Sequence, residues 1–161
     1  MIRSAKPEDA EALAGIYNHY ILHSVISFEE ETVSGRDMQG RMAEVQQNYP
    51  WLVYEEEGAI AGYAYATPWK NRSAYRHAAE TTIYVDKAKL GKGIGTRLYE
   101  PLLQSLRDRG DLHVVTAGIA LPNDGSVAIH EKLGFVKVGH YREIGRKFGR
   151  WIDVGYWQLM L

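Results

Sequence analysis

The segment Leu90-Gly91-Lys92-Gly93-Ile94-Gly95-Thr96 follows an apolar, β-branched run and opens an amphipathic helical pattern. A glycine turn between strand and helix gathers several backbone N–H groups into one concavity at the positive end of a helix dipole. Such a concavity holds phosphate. The spacing excludes two familiar phosphate sites. A Walker loop needs Gly-Lys-Ser/Thr after four spacers, and none is present. The dinucleotide fingerprint needs a third glycine where Thr96 stands. A turn of backbone donors remains, running from Gly91 to Thr96, with Lys92 as one added cation. The same pattern also suits a plain strand-to-helix turn.

Two titratable residues stand out beside that turn. Glu80 lies in the apolar run Ala78 to Val85, where strand alternation puts it on one face with Thr82 and Tyr84. An ionised glutamate there accepts a proton from an ammonium group, directly or through water. It would equally serve as a paired surface carboxylate. His130 falls on a short helix and titrates near neutrality. Its alternative is a helix-face histidine satisfied by a backbone carbonyl. Lys70 and Arg72 flank Trp69 and Tyr75 in a polar loop, an arrangement that suits an acidic ligand as well as it suits two solvated cations. Phe28 is either a pocket wall or core. His19 and His23 have the spacing of a zinc pair. They lack a third ligand, so no metal is expected.

The elements that position these residues follow from periodicity. Met1 to Ala5 reads as a strand. A helix opens at Pro7-Glu8-Asp9 and continues through Ala10, Leu13, Ala14, Tyr17 and Ile21. Ser34 caps a second helix carrying Met38, Met42 and Val45. Trp51 to Tyr54 and Ile60 to Ala66 form a hairpin turning at Glu57-Gly58. Ile94, Leu98, Leu102 and Leu106 mark the face of the helix after the glycine turn, and Pro101 inside it predicts a kink. Leu112 to Leu121 is a strand. Ser126 caps a short helix that stops at Gly134, and Phe135 to Ile144 with Trp151 to Leu159 make a closing antiparallel pair. Three consecutive strands without helices between them argue against a doubly wound parallel sheet. The expected fold is mixed α/β, with a largely antiparallel sheet flanked by helices.

Composition narrows the function classes. The chain has 161 residues, enough for one full-sized core, and a net charge of −1, which gives no drive toward nucleic acid or an anionic membrane. Arg142, Arg146, Lys147 and Arg150 form only a mild basic cluster, assigned to the flank of a cofactor or to a dimer contact. No run reaches the ~20 apolar residues of a membrane helix, and Met1 to Ala5 has no apolar signal core. The lack of cysteine removes disulfides and a thiol nucleophile and suits a cytoplasmic setting. Trp151, Tyr156 and Trp157 exceed what one edge pair needs and point to a homodimer contact.

Asn123-Asp124-Gly125-Ser126, followed by Glu131-Lys132-Leu133-Gly134-Phe135, resembles the second half of the GNAT acyltransferase pattern. Tyr49-Pro50-Trp51-Leu52-Val53, Pro68-Trp69-Lys70, Ala79-Glu80-Thr81-Thr82, Leu121-Pro122-Asn123-Asp124 and Gly149 to Gly155 are similar to the phosphinothricin N-acetyltransferases. That group includes the methionine sulfoximine/sulfone acetyltransferases. The resemblance runs nearly end to end. It implies one GNAT domain over 1–161, acetyl-CoA as co-substrate, and acetylation of the α-amino group of a small amino-acid-like acceptor. Phosphinothricin, methionine sulfoximine and methionine sulfone are the leading acceptors. Glu80 becomes the general base. His130 becomes the acid for the leaving thiolate or a group acting on the amine. The main chain of Ile83, Tyr84 and Val85 takes the cofactor arm, residues Gly91, Lys92, Gly93, Ile94, Gly95 and Thr96 take the pyrophosphate, and Asn123 and Ser126 assist. Phe28, Lys70, Arg72, Tyr75, Thr81 and Thr82 join Glu80 around the acceptor. Leu90 departs from the family's Gln or Arg; either Lys89 or Lys92 supplies charge instead, or the backbone donors alone hold the phosphates and acetyl-CoA affinity is lowered. With no Cys and no Ser or Thr in a recognisable triad, direct transfer in a ternary complex is expected. The alternatives are another amine (a protein N-terminus or a polyamine) and a non-catalytic acyl-CoA-binding module.

Overall fold

The computed structural model describes residues 1–161. In chain order the elements are β1 (Ile2–Ser4), α1 (Ala10–His23, entered through a 3₁₀ turn at Pro7–Asp9), α2 (Gly35–Val45), β2 (Trp51–Glu56), β3 (Ala59–Pro68) and β4 (Ala78–Val85). They continue with α3 (Ile94–Asp108), β5 (Val114–Leu121), α4 (Asp124–Lys132), β6 (Val136–Lys147) and β7 (Arg150–Met160). All strands join one seven-stranded sheet in the order β1-β2-β3-β4-β5-β7-β6. Every neighbouring pair is antiparallel except β4 and β5. The mixed, mostly antiparallel sheet read from the strand order is therefore present. No helix is long and apolar enough to cross a membrane.

Strand alternation sorts side chains onto two cores. On β2, Trp51 and Val53 join Leu13 and Met42 of α1 and α2, while Leu52 and Tyr54 pack with α3 on the opposite face. The stripe Leu98, Leu102 and Leu106 of α3 is fully buried there. Helix α3 runs unbroken through Pro101, which lacks the N–H that would have bonded Arg97. At Glu57-Gly58 both residues have positive φ, 53° and 78°, the backbone of a tight hairpin turn. Ser34 caps α2 by accepting from Asp37 N–H. Asn123, rather than Ser126, caps α4: its Oδ1 accepts the Ser126 N–H at 3.2 Å.

One irregularity shapes the site. The parallel ladder between β4 and β5 has only three registered pairs and ends at Glu80–Thr116. From Thr81 onward the two strands share no registered pair, while β4 stays bonded to β3 and β5 to β7. The centre of the sheet is thus split open along one edge of each strand.

Candidate active site

Two cavities meet at this split. The larger, about 1170 Å³, lies on the α1/α2 side and is walled by Phe28, Trp69, Lys70, Glu80, Thr82 and Tyr156 among others. The smaller, about 110 Å³, is a slot between β4 and β5 bounded by Ile83, Tyr99, Gly118, Asn123, Ser126 and His130 among others. Thr81, Thr82, Tyr84 and Gly118 belong to both, so the slot opens beside the larger cavity.

Glu80 is half-buried on β4, at the residue where the ladder ends. Burial holds its carboxyl above the usual carboxylate range, and the nearby Lys70 ammonium opposes that shift. Lys70 lies 4.7 Å over the ring of Trp69, which meets Tyr156 edge-on at 5.4 Å. Thr81 points the other way: its Oγ1 is 2.9 Å from the hydroxyl of Tyr99. Adjacent residues of one strand therefore serve opposite faces of the sheet, Glu80 and Thr82 one, Thr81 and Ile83 the other.

His130 is 3% exposed. Its Nδ1 donates to the Ser126 carbonyl at 2.7 Å, and its Nε2 lies 2.7 Å from the Tyr99 hydroxyl. Burial lowers its pKa, partly offset by the bond to Ser126. The backbone-carbonyl partner weighed from the sequence is present, yet the ring also borders the slot.

At the glycine turn, Gly91 and Gly93 adopt φ of 76° and 73°, conformations that disfavour a side chain. The i→i−4 bond from Arg97 N to Gly93 O leaves the N–H groups of Ile94, Gly95 and Thr96 ahead of the helical ladder. Gly95 has a packing reason as well: a Cβ there would stand 2.8 Å from Ile129 Cδ1 of α4. Lys92 is exposed, whereas Lys89 is held by Glu56 at 2.7 Å, so Lys92 is the cation left to the turn. Leu90 is exposed. Along the open edge of β4, the Val85 carbonyl is already taken by the Tyr20 hydroxyl.

Several sequence expectations fall elsewhere. Arg72 and Tyr75 lie exposed on the turn before β4 and do not line the larger cavity, so Lys70 is the cation on its wall. Trp157 is core and Tyr156 is cavity wall, which leaves Trp151 as the exposed aromatic of that trio. Lys147 leaves the basic cluster: it is 3% exposed and donates to the Ser27 carbonyl at 2.6 Å. Tyr17, Glu29 and His140 also wall the cavity; the sequence placed Tyr17 only on a helix stripe and marked neither of the others, because the three come from α1, a loop and β6.

A split sheet, a glycine turn facing a helix start, and a carboxylate at the split define a CoA-dependent acyltransferase scaffold. The GNAT acetyltransferase domain model matches residues 2–155, and the chain belongs to that family. Phosphinothricin N-acetyltransferase of Streptomyces viridochromogenes is 45% identical over 157 residues, covering 98% of this chain and 85% of its own. The L-methionine sulfoximine/L-methionine sulfone acetyltransferase of Salmonella typhimurium is 38% identical over 99% of this chain and 94% of its own. A GNAT superfamily phosphinothricin acetyltransferase from Sinorhizobium meliloti, solved in complex with acetyl-CoA, superposes with a TM-score of 0.96. It is 35% identical and covers 100% of this chain and 88% of that one. The protein is an acetyl-CoA-dependent N-acetyltransferase of the phosphinothricin and methionine sulfoximine group.

Proposed function

We propose that this enzyme acetylates the α-amino group of a small amino-acid-like acceptor bearing an acidic or strongly polar side-chain oxygen. Phosphinothricin, methionine sulfoximine and methionine sulfone are the leading candidates. The observation that carries this reading is Glu80, half-buried on the wall of the 1170 Å³ cavity where the β4–β5 ladder ends. The acceptor sits in that cavity with Lys70 facing its anionic group and Phe28 and Thr82 against its sides. The acetyl-CoA arm enters the slot and pairs with the unbonded edge of β4 at Ile83, by the logic of strand addition. The main chain of Ile83 faces the split, while that of Tyr84 is turned to Tyr63 of β3. The pyrophosphate rests on the turn from Gly91 to Thr96, and Asn123 and Ser126 border the arm.

Glu80, held toward its protonated form by burial, takes the ammonium proton. The free amine attacks the thioester carbonyl, whose oxyanion meets a main-chain N–H of β4. Collapse expels the thiolate, with His130 handling the remaining proton. No acyl-enzyme is involved. A polyamine acceptor is disfavoured because Lys70 stands near Glu80 and the other carboxylate on the wall, Glu29, is already paired with Arg41. The whole of 1–161 acts as one catalytic domain in a cytoplasmic homodimer.

A thiol-release screen with acetyl-CoA tests the reading. Sulfone- and phosphinate-type amino acids turn over, and polyamines do not. Glu80→Gln and His130→Ala each lower kcat by about a hundredfold, the usual scale for a lost acid or base, with little change in acetyl-CoA KM. Wild-type turnover in both variants removes these residues from the chemistry, and turnover of polyamines alone removes the acceptor assignment.

A further inference from the structure

Three buried polar side chains from three elements form one hydrogen-bonded line. Thr81 Oγ1 of β4 lies 2.9 Å from Tyr99 Oη of α3, and Tyr99 Oη lies 2.7 Å from His130 Nε2 of α4. Their exposures are 4%, 0% and 3%. All three border the slot. Tyr99 stands on the stripe of α3 that also carries Leu98, Leu102 and Leu106, where a phenylalanine would fill nearly the same volume. A buried hydroxyl is costly unless bonded, so the oxygen at this position asks for a reason that packing does not supply.

The direction of the line follows from its inner end. The Ser126 carbonyl only accepts, so His130 Nδ1 carries the proton. Burial keeps the ring neutral, so Nε2 presents a lone pair and Tyr99 donates to it. Thr81 then donates to Tyr99 Oη; its other contact, to the Thr116 carbonyl, is long at 3.4 Å. Each hydroxyl proton points toward His130. If Nε2 gains a proton, both bonds reverse and the proton on Thr81 is turned out to the slot.

We propose that Thr81, Tyr99 and His130 form a proton relay for acetyl transfer, with Thr81 meeting the reacting atoms and Tyr99 as the positioning residue between it and His130. This rests on the reading that the slot holds the thioester. Glu80, on the opposite face of β4, takes the first ammonium proton. The second leaves the nitrogen of the tetrahedral adduct. Its N–H bond breaks as an O–H bond forms at Thr81 Oγ1. The Thr81 proton passes to Tyr99 Oη, and the Tyr99 proton to Nε2. When the C–S bond breaks with its electron pair on sulfur, the same transfers run backward and the thiolate gains the Thr81 proton as S–H. The three residues end the cycle as they began it. One histidine thus serves both amine and thiolate without touching either.

The test is a proton inventory, kcat measured in mixtures of H₂O and D₂O, alongside three variants. In the wild type the plot is curved, because several protons move together. Tyr99→Phe and Thr81→Val each lower kcat by about a hundredfold, leave acetyl-CoA KM within about twofold, and make the plot linear. Thr81→Ser, which keeps the hydroxyl, retains most activity. The Tyr99→Phe/Thr81→Val double variant is no slower than the slower single, because one line cannot be broken twice. Should Tyr99→Phe fail to fold, Thr81→Val and Thr81→Ser make the same comparison from the outer end. Nitrogen-15 NMR of the ligand-free protein at neutral pH reads His130 as protonated at Nδ1 and bare at Nε2. A ring protonated at Nε2, wild-type kcat in a folded Tyr99→Phe, or effects that multiply in the double variant would overturn the relay. A wild-type enzyme that acetylates no amino acid in the screen overturns the functional reading instead.

Discussion

At the scale of single residues, Glu80 carries a conflict between stability and chemistry. Burial raises its pKa above the ordinary 4.5 because the charged form loses hydration, and Lys70 recovers only part of that loss. A carboxyl whose folded pKa is raised contributes stability that is full below the unfolded pKa and lost as pH rises through the folded one. At pH 7 the ionised Glu80 is therefore a burden on the fold. Glu80→Gln is expected to raise Tm at pH 7, by about 2–4 °C for each kcal/mol relieved in a chain of this size. At pH 4 the difference shrinks toward zero. Thermal melts at the two pH values check this, and an equal or lower Tm at pH 7 contradicts the burial argument. The charge at Glu80 was legible from its place on an alternating strand. Its burial was not, because that depends on a cavity whose walls, Trp69 and Tyr156 among them, come from other elements.

At the scale of elements, the loop between α1 and α2 and the strand β6 build one wall of the acceptor cavity together. Register between β6 and β7 slips between Tyr141 and Gly145, and Glu143 takes a φ of 51° inside that bulge. The bulge ends at Gly145, where a Cβ would stand 2.2 Å from Phe28 Cε2. Lys147 then ties the loop down through the Ser27 carbonyl, and Tyr17 bonds Ser27 Oγ at 2.8 Å. Phe28 is thus seated on a residue over a hundred positions away. Gly145→Ala is expected to push the part-exposed Phe28 ring aside at a cost of about 1 kcal/mol, the low end for overpacking, and to raise the acceptor KM, with acetyl-CoA KM unchanged. In a Phe28→Ala background the same change costs almost nothing. Urea unfolding of the four proteins in this cycle measures the coupling, and additive costs would remove the Phe28–Gly145 contact from the account. Local signals served well where one element decides the outcome: the Ser34 cap, the Glu57-Gly58 turn and the Leu98 stripe. They failed at α4, where Asn123 and Ser126 are both competent caps and the helix starts three residues earlier, so that Asn123 accepts the Ser126 N–H.

At the scale of the whole molecule, one sheet separates two cores, and its β6 edge is left without a strand partner. Ile144, Phe148 and Trp151, at the far end of β6 and β7, are 59%, 56% and 61% exposed. Val138, Tyr141 and Ile144 also line the larger cavity, so a second copy seated on this region would help enclose the acceptor. The homodimer proposed above predicts a mass near twice 18.2 kDa by sedimentation equilibrium. Trp151→Lys should shift it to monomer and raise the acceptor KM. A wild-type protein that sediments as a monomer at micromolar concentration rules the dimer out.

Sequence alone determined the order of the elements, the faces that α1, α2 and α3 bury, and the glycine turn. These depend on residues within one or two turns of each other, where periodicity and backbone preference act directly. Tertiary structure decided the rest: that the β4–β5 ladder stops at Glu80, that Tyr99 joins Thr81 to His130, that Lys70 rather than Arg72 reaches the cavity, and that Trp157 is core. Each of these depends on where distant elements cross. That placement minimises exposed apolar surface and unpaired polar groups over the whole chain, a sum no local stretch of sequence contains.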